Sequence, residues 1–183
     1  MPNYRYQFFS NDKRLMRIQD SYMLGYLAED VKVQYKNTLM VSLDEMEIDS
    51  KEGDISSIPR WLAHNLEDLG IVTINDKDDA AYVSRTLNLE RIARAHELSG
   101  ISADFYIRVN DYLSSLDEKG RERTIVSLNS FVVSRIEKIV KLAAVSKLTP
   151  AIRDKLSVEE RELYDLIHQL TTTFKKRALR KYD

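Results

Sequence analysis

Five side chains in this sequence have the chemistry that catalysis or metal binding requires, and their spacing argues against both. His64, His96 and His168 each stand alone, without a second histidine or a carboxylate at a spacing that binds zinc. Asp104 and Asp111 are seven residues apart, which places two carboxylates on one face of a helix, but a solvated helix face has the same pattern. We therefore predict no catalytic residue, no metal site and no cofactor.

The sequence also lacks other motifs of reactive sites. It has no cysteine, which excludes disulfides, thiolate metal sites and a cysteine nucleophile. Its five glycines are scattered singly, so they form neither a phosphate-binding loop nor a dinucleotide-binding motif. Glu159 and Glu160 are adjacent, but successive helical positions point in different directions, and Glu160 stands where it would form a capping box with Ser157. The sequence thus predicts a protein that is not an enzyme.

A functional surface would have to be positioned by the long helix predicted over Arg121 to Lys147, which is apolar over most of its circumference. Its narrow polar edge includes Arg135. Such a helix is either the centre of an all-α core or is covered on its second face by another chain. The stripe predicted to face the core of this chain consists of Ile125, Leu128, Val132, Ile136, Ile139 and Ala143. The predicted subunit interface consists of Phe105, Val109, Tyr112, Val126, Phe131, Val133, Val140 and Val145.

Residues 1–76 are predicted to form a small β-rich domain with one short helix, after a helical lead-in over about residues 1–26. Apolar and polar residues alternate over 31–35 and again over 38–43, which predicts two strands of a hairpin that turns at Lys36-Asn37.

A short helix is predicted to follow in the same domain. Pro59 would occupy its first turn, Ser57 would cap it, and Gly70 would end it in a left-handed conformation. The predicted core of this domain consists of Trp61, Leu62, Leu66 and Ile71.

Residues 77–183 are predicted to form a helical domain, which begins after the polar boundary at Asn75 to Asp79. Helices are expected over Leu87 to Leu98 and after a Ser102 cap, and the capping box at Ser157 begins the last one. Its predicted inward residues are Leu163, Leu166, Ile167, Leu170 and Phe174. Its basic end is favoured by the helix dipole and is also a candidate contact with nucleic acid or a partner; it consists of Lys175, Lys176, Arg177, Arg180 and Lys181.

The pattern as a whole predicts an α+β fold that is mainly α, with the small β-rich domain first and a larger helical-bundle domain second. Net charge is −1, and 43% of residues are hydrophobic, which is typical of a globular protein. No apolar run approaches the roughly 20 residues that span a bilayer, and charges near the amino terminus argue against a signal peptide. We therefore expect a cytoplasmic protein that does not enter a membrane.

Several stretches, taken in order, resemble a subunit of the GINS complex, the scaffold of the archaeal and eukaryotic replicative helicase. The resemblance is to the subunit type whose small β domain comes first, and the sequence looks like an archaeal member of this type. Together the stretches cover residues 27 to 174. They are LAED (27–30), IPRWLA (58–63) with Leu66 and the exit GIVTI (70–74), FY (105–106), RIEKIVKLA (135–143) and LSVEERELY (156–164).

The resemblance implies a scaffold without an active site. GINS subunits assemble through their helical domains, in archaea commonly as two copies of this type with two copies of a partner of opposite domain order. The tetramer binds the MCM helicase and a RecJ-like partner related to the helicase co-activator, and the family also contacts primase or polymerase. The resemblance thus implies a nucleoid-associated location, or a nuclear one in a eukaryote, and weak or no direct DNA binding.

Two other classes of function remain open at this point. A DNA-binding regulator would use the helix from Pro59 to Leu69 as a reader, with Arg60 and His64 as donors, and the basic carboxyl-terminal helix as a phosphate clamp. Glu67 and Asp68 make that reader electrostatically poor. An enzyme of unknown class would depend on the carboxylates Asp104 and Asp111.

Overall fold

The chain has an α+β fold that is mainly α, as the sequence predicts. A computed structural model describes residues 13–43, 46–94 and 97–179. In chain order the elements are α1 (Lys13–Ala28), β1 (Asp30–Tyr35), β2 (Leu39–Leu43), β3 (Met46–Ser50), β4 (Ile55–Pro59), α2 (Arg60–Asp68), β5 (Val72–Ile74), α3 (Lys77–Ile92), α4 (Phe105–Ser115), α5 (Glu118–Ala143), α6 (Pro150–Arg153) and α7 (Val158–Ala178).

Two units make up the chain. The strand unit is Ser21–Ala80, and the helical unit combines Met1–Asp20 with Ala81–Asp183. The division therefore falls inside α3, four residues beyond the predicted boundary, and the described part of the lead-in up to Asp20 groups with the helical unit. Helix α3 begins inside the polar segment at Asn75 to Asp79. The Asp76 carboxylate accepts a hydrogen bond from the Asp79 amide at 3.1 Å and so stabilises the first turn of this helix.

In the strand unit, β1 is the central strand of an antiparallel sheet of order β4-β1-β5, and β2 pairs with β3 in a second sheet of two strands. The two predicted strands exist, but the predicted hairpin between them is wrong. Instead, β1 pairs with β4 at one edge and β5 at the other, and its alternate residues Val31, Val33 and Tyr35 are buried on one face. The backbone of Tyr35 hydrogen-bonds Gly53 and Asp54, so the chain returns to β1 through the turn before β4.

Helix α2 covers this sheet and begins at Arg60. Pro59 is its N-cap instead of part of its first turn, and Ser57 belongs to β4, so the predicted cap at Ser57 is wrong. Gly70 has a φ of +72°, which confirms the predicted left-handed helix end. Leu62 and Leu66 are buried and Ile71 packs against them, as predicted.

Trp61, in contrast, is 47% exposed, so its assignment to the core is wrong. The buried face of α2 runs through Leu62, Leu66 and the fully buried Ala63, and Trp61 precedes that face by about a quarter of a turn. Trp61 is therefore exposed, although it is the larger apolar side chain, because its position on the helix lies outside the buried face.

In the helical unit the helices differ from the predicted ones mainly at their ends. Helix α3 ends at Ile92, and Leu98 is buried beyond the helix. Helix α5 starts at Glu118, and the Asp117 carboxylate caps it by accepting from the Gly120 amide at 2.9 Å. Ser102 does not cap α4, because its amide and hydroxyl both bind the Tyr82 hydroxyl.

The last helix begins as predicted and leaves the core earlier than predicted. Ser157 and Glu160 form the capping box at its start. Arg135 contacts Glu160 and the Ala143 carbonyl contacts His168, two pairs with the same sequence separation, so α5 and α7 run side by side in the same direction. Residues after His168 therefore extend past the end of α5. The prediction of an inward side chain is consequently wrong for Leu170 and Phe174, which are exposed, and it is also wrong for Leu166, which lies beside α5 but is 43% exposed.

Candidate functional site: an apolar surface on the long helix

A buried network of charges fixes the orientation of α5 and thereby decides which of its faces is free. The Arg135 guanidinium binds both Glu160 carboxylate oxygens at 2.5 and 2.7 Å and a Glu90 oxygen at 3.0 Å. It also donates to the carbonyls of Ser99 and Lys155 at 2.9 and 2.8 Å. Since Arg135 is 1% exposed, its predicted place on a polar edge is wrong. The five bonds hold α5 against α3 and α7.

The other cation of this network, Lys138, completes its charge balance. Its ammonium binds the second Glu90 oxygen at 2.6 Å, so two buried cations face two buried carboxylates. Burial alone would raise the pKa of Glu90, but the hydrogen bonds from Lys138 and Ser99 and the nearby positive charges outweigh it and lower the pKa. Burial of Tyr106, which donates to Glu160 at 2.9 Å, raises the pKa of its phenol above the ordinary value. The two cations thus balance the two carboxylates, and these contacts favour the charged form of Glu90.

Three of the predicted interface residues lie in the core of this chain. Phe105, Val109 and Phe131 are each at most 3% exposed and pack together, and Tyr112 packs partly buried against them. The Phe105 and Phe131 rings are 5.2 Å apart. The prediction that these side chains meet a partner chain is therefore corrected, because the face of α5 that contains Phe131 is the one that packs against α3 and α4.

The opposite face of α5 has an exposed apolar stripe, which we call the outer stripe. It consists of Val126, Val133, Ile136 and Val140, which are 66%, 57%, 42% and 41% exposed. The three valines follow one another at seven-residue intervals, and Ile136 lies three residues after Val133. This is the spacing with which a helix packs against a second helix in a coiled coil. The outer stripe retains three of the predicted interface residues and adds Ile136, which the sequence had placed in the core.

A second exposed apolar row lies on α7. It consists of Leu166, Leu170 and Phe174, at four-residue intervals on one side of the helix. Val145, the last of the predicted interface residues, is exposed in the turn after α5. Apolar residues exposed in a row, rather than singly, mark a surface that binds another protein.

The basic end of α7 and helix α2 give little support to a DNA-binding site. Lys175 donates to the Ala144 carbonyl at 2.5 Å, while Lys176 and Arg177 are exposed, and Arg180 and Lys181 lie outside the described residues.

On α2, the proposed reader residue Arg60 is 3% exposed and bound to Asp76 at 2.5 Å and Asp79 at 3.4 Å. Its guanidinium also lies 4.2 Å from the centre of the Tyr26 ring. Arg60 therefore contributes to the fold and is not available to contact bases.

Among the described residues, the candidate catalytic groups lie on different elements, with His64 on α2, Asp104 and Asp111 at α4, and His168 on α7. Asp104 pairs with Arg108 one turn later; burial tends to raise the pKa of Asp104, but hydrogen bonds from Ser102 and Arg108 outweigh it and lower the pKa. His168 contacts the Ala143 carbonyl at 2.9 Å, and His96 lies outside the described residues. Among the described residues, no group of histidines and carboxylates could hold a metal ion. Nor does the described part contain a helix long and apolar enough to span a membrane.

Comparison with protein-family models and with curated proteins finds no match for this chain.

Proposed function

We propose that this chain is a non-catalytic scaffold subunit of the GINS type, which bridges the MCM helicase and a RecJ-like partner in DNA replication. On this proposal it forms a 2:2 tetramer with a subunit of opposite domain order, is nucleoid-associated, and contacts primase or polymerase through the assembled complex. The sequence resemblance supports the proposal, as does the succession of a small strand unit and a larger helical unit.

The observation that carries the proposal is the outer stripe. A scaffold subunit needs a surface that is apolar, rigid and unoccupied in its own fold. The buried bonds of Arg135 and Lys138 provide the rigidity, and the outer stripe provides the apolar surface. Obligate interfaces resemble a protein core that has been divided in two, and a helix with apolar residues on opposite faces fits that description.

A substitution in the outer stripe tests this function. Val133→Asp would place an unpaired carboxylate in the interface, which costs about 3 kcal/mol or more and weakens assembly by at least about 100-fold. Ile92→Asp is the matched control, because Ile92 is an exposed β-branched residue on α3, outside α5. We expect Ile92→Asp to co-purify with a GINS partner of opposite domain order and Val133→Asp to remain separate. Normal assembly by Val133→Asp would mean that the outer stripe is not the interface.

A further inference from the structure

A groove between α3 and α5 shares only Val126 with the outer stripe and is not needed for the proposed scaffold function. It has a volume of about 540 Å³, within the range of sites that hold small ligands or short peptides. Its walls are one face of α3, with Ser84, Leu87, Asn88 and Arg91, and one face of α5, with Arg123, Ser127, Ser130 and Ser134. Leu87, Tyr112, Val126 and Phe131 form its apolar lining.

The charges of this groove that have no ion-pair partner among the described residues are positive. Arg91 and Arg123 are exposed, and neither makes an ion pair with another described residue. The only carboxylate in the lining is Glu90, whose oxygens are already bound by Lys138, Arg135 and Ser99. An occupant would therefore meet two free positive charges and no free negative one.

The two arginines lie toward opposite ends of the groove. Glu90 on α3 binds Arg135 and Lys138 on α5. Arg91 is the next residue after Glu90, so it lies beside the part of α5 that contains Arg135 and Lys138. Arg123 precedes Arg135 by twelve residues, or about 18 Å along the helix. An extended segment of five or six residues spans about that distance.

Groups that can bind a peptide backbone lie between the arginines. The Ser127 and Ser130 hydroxyls donate to the carbonyls of Arg123 and Val126, so their oxygens keep lone pairs that can accept from a peptide N–H. The apolar lining can contact alternate side chains of the same segment, since these point to one side of an extended chain.

We propose that this groove binds a short, extended segment of a partner protein that has apolar side chains in the middle and an acidic side chain at each end. The proposal does not rest on the GINS assignment, because the charges and the lining are properties of this chain alone. Complementary charge at the ends gives the segment its selectivity, and the apolar lining gives the remaining contact.

Fluorescence anisotropy with a labelled peptide, Glu-Leu-Ser-Leu-Ser-Glu, tests the proposal on the full chain. We expect saturable binding below about 1 mM and at least about tenfold weaker binding of the charge-reversed peptide Lys-Leu-Ser-Leu-Ser-Lys. Arg91→Glu/Arg123→Glu should weaken binding of the acidic peptide by a similar factor. Arg85→Glu is the control, because Arg85 is exposed on α3 but does not line the groove, and it should bind as the unmodified chain does.

Amide chemical shifts on adding the acidic peptide should change along Ser84 to Arg91 and Arg123 to Ser134. Equal affinity for both peptides, no saturable binding, or full binding by the double variant would each overturn the proposal. A dimer of the chain that the double variant abolishes would assign the groove to a second copy and would also overturn it. Since Val133→Asp leaves the groove lining intact, loss of GINS assembly and loss of peptide binding are separate results.

Discussion

Replacing Arg135 by methionine tests whether the buried network holds α5 in place. Methionine has a similar length and is apolar, so the substitution removes the guanidinium without opening a large cavity. Glu160 then loses its bidentate partner, Glu90 loses one of its two cations, and the Ser99 and Lys155 carbonyls lose a donor.

The expected cost follows from the charge balance. The network changes from two cations and two carboxylates to one cation and two carboxylates, all in a buried site. Removing one partner of a buried ion pair costs about 3–5 kcal/mol, because the other charge stays buried. For a domain of this size that corresponds to a fall in melting temperature of roughly 6–20 °C.

Two optical signals can assign the loss to the correct unit. Trp61 is the only tryptophan and lies in the strand unit, so its fluorescence follows that unit. Circular dichroism at the helical band is dominated by the helical unit. We expect Arg135→Met to lower the midpoint of the dichroism transition and to leave the fluorescence transition near its original position.

Charge restoration and a surface arginine serve as controls. Arg135→Met/Glu160→Gln leaves one cation, Lys138, facing one carboxylate, Glu90, and should recover part of the lost stability. Arg123→Met removes an exposed arginine from the same helix and should change stability by about 0.5 kcal/mol or less. If Arg135→Met loses less than about 1 kcal/mol, or the double variant is less stable than the single one, the network does not hold α5 as we describe.

Three further predictions concern the cores and one buried carboxyl. Phe131→Ala should destabilise the helical unit by about 3–5 kcal/mol in urea unfolding; a stable chain that fails only to assemble would return Phe131 to the interface. In the strand unit, Leu62→Ala should cost about 2–4 kcal/mol and Trp61→Ala less than about 1 kcal/mol, and the reverse order in melting temperatures would mean that Trp61 is in the core. Burial and the neighbouring Glu160 charge raise the pKa of Glu159, so its contribution to stability is present below the unfolded-state pKa and is lost as pH rises through the folded-state pKa. Glu159→Gln should therefore raise the unfolding midpoint at pH 7 and leave it unchanged at about pH 4, and a pH-independent effect would contradict this.

The sequence predicted the fold class and most elements because these follow from local patterns. Alternating residues identified β1 and β2, Gly70 marked the end of α2, and the Ser157 capping box marked the start of α7. Strand pairing was not predictable in this way, since it depends on contacts between β1 and segments some 25 to 40 residues later. A hairpin with β2 is the nearest pairing in sequence, but both edges of β1 are occupied by β4 and β5.

The candidate surface was predicted only in part. The sequence placed Val126, Val133 and Val140 on the second face of α5, which is exposed. It placed Phe131 on that face and Ile136 in the core, and the structure has these two the other way round. The signal that separates them is the buried charge at Arg135: once it is placed inside the chain, Phe131 lies about 40° from it around the helix, whereas Ile136 lies about 100° away. Sequence periodicity alone treated every charge as exposed.

The position of Arg135 was hidden because its partners are far away in sequence. Glu90 and Glu160 are 45 residues before it and 25 residues after it. A lone arginine among apolar residues is most often at a surface. Two carboxylates and two carbonyls converge on Arg135 only when α3, α5 and α7 pack together in the fold.

The measurement that tests the central claim most directly is the solution mass of this 21.3 kDa chain, by light scattering, alone and with a GINS partner of opposite domain order. The account predicts a defined complex of about four chains only when the partner is present, since a closed symmetric assembly then covers the outer stripe. It also predicts that Val133→Asp stays out of that complex. A chain that remains a monomer and does not bind the partner would contradict the proposal that this protein is a GINS-type scaffold.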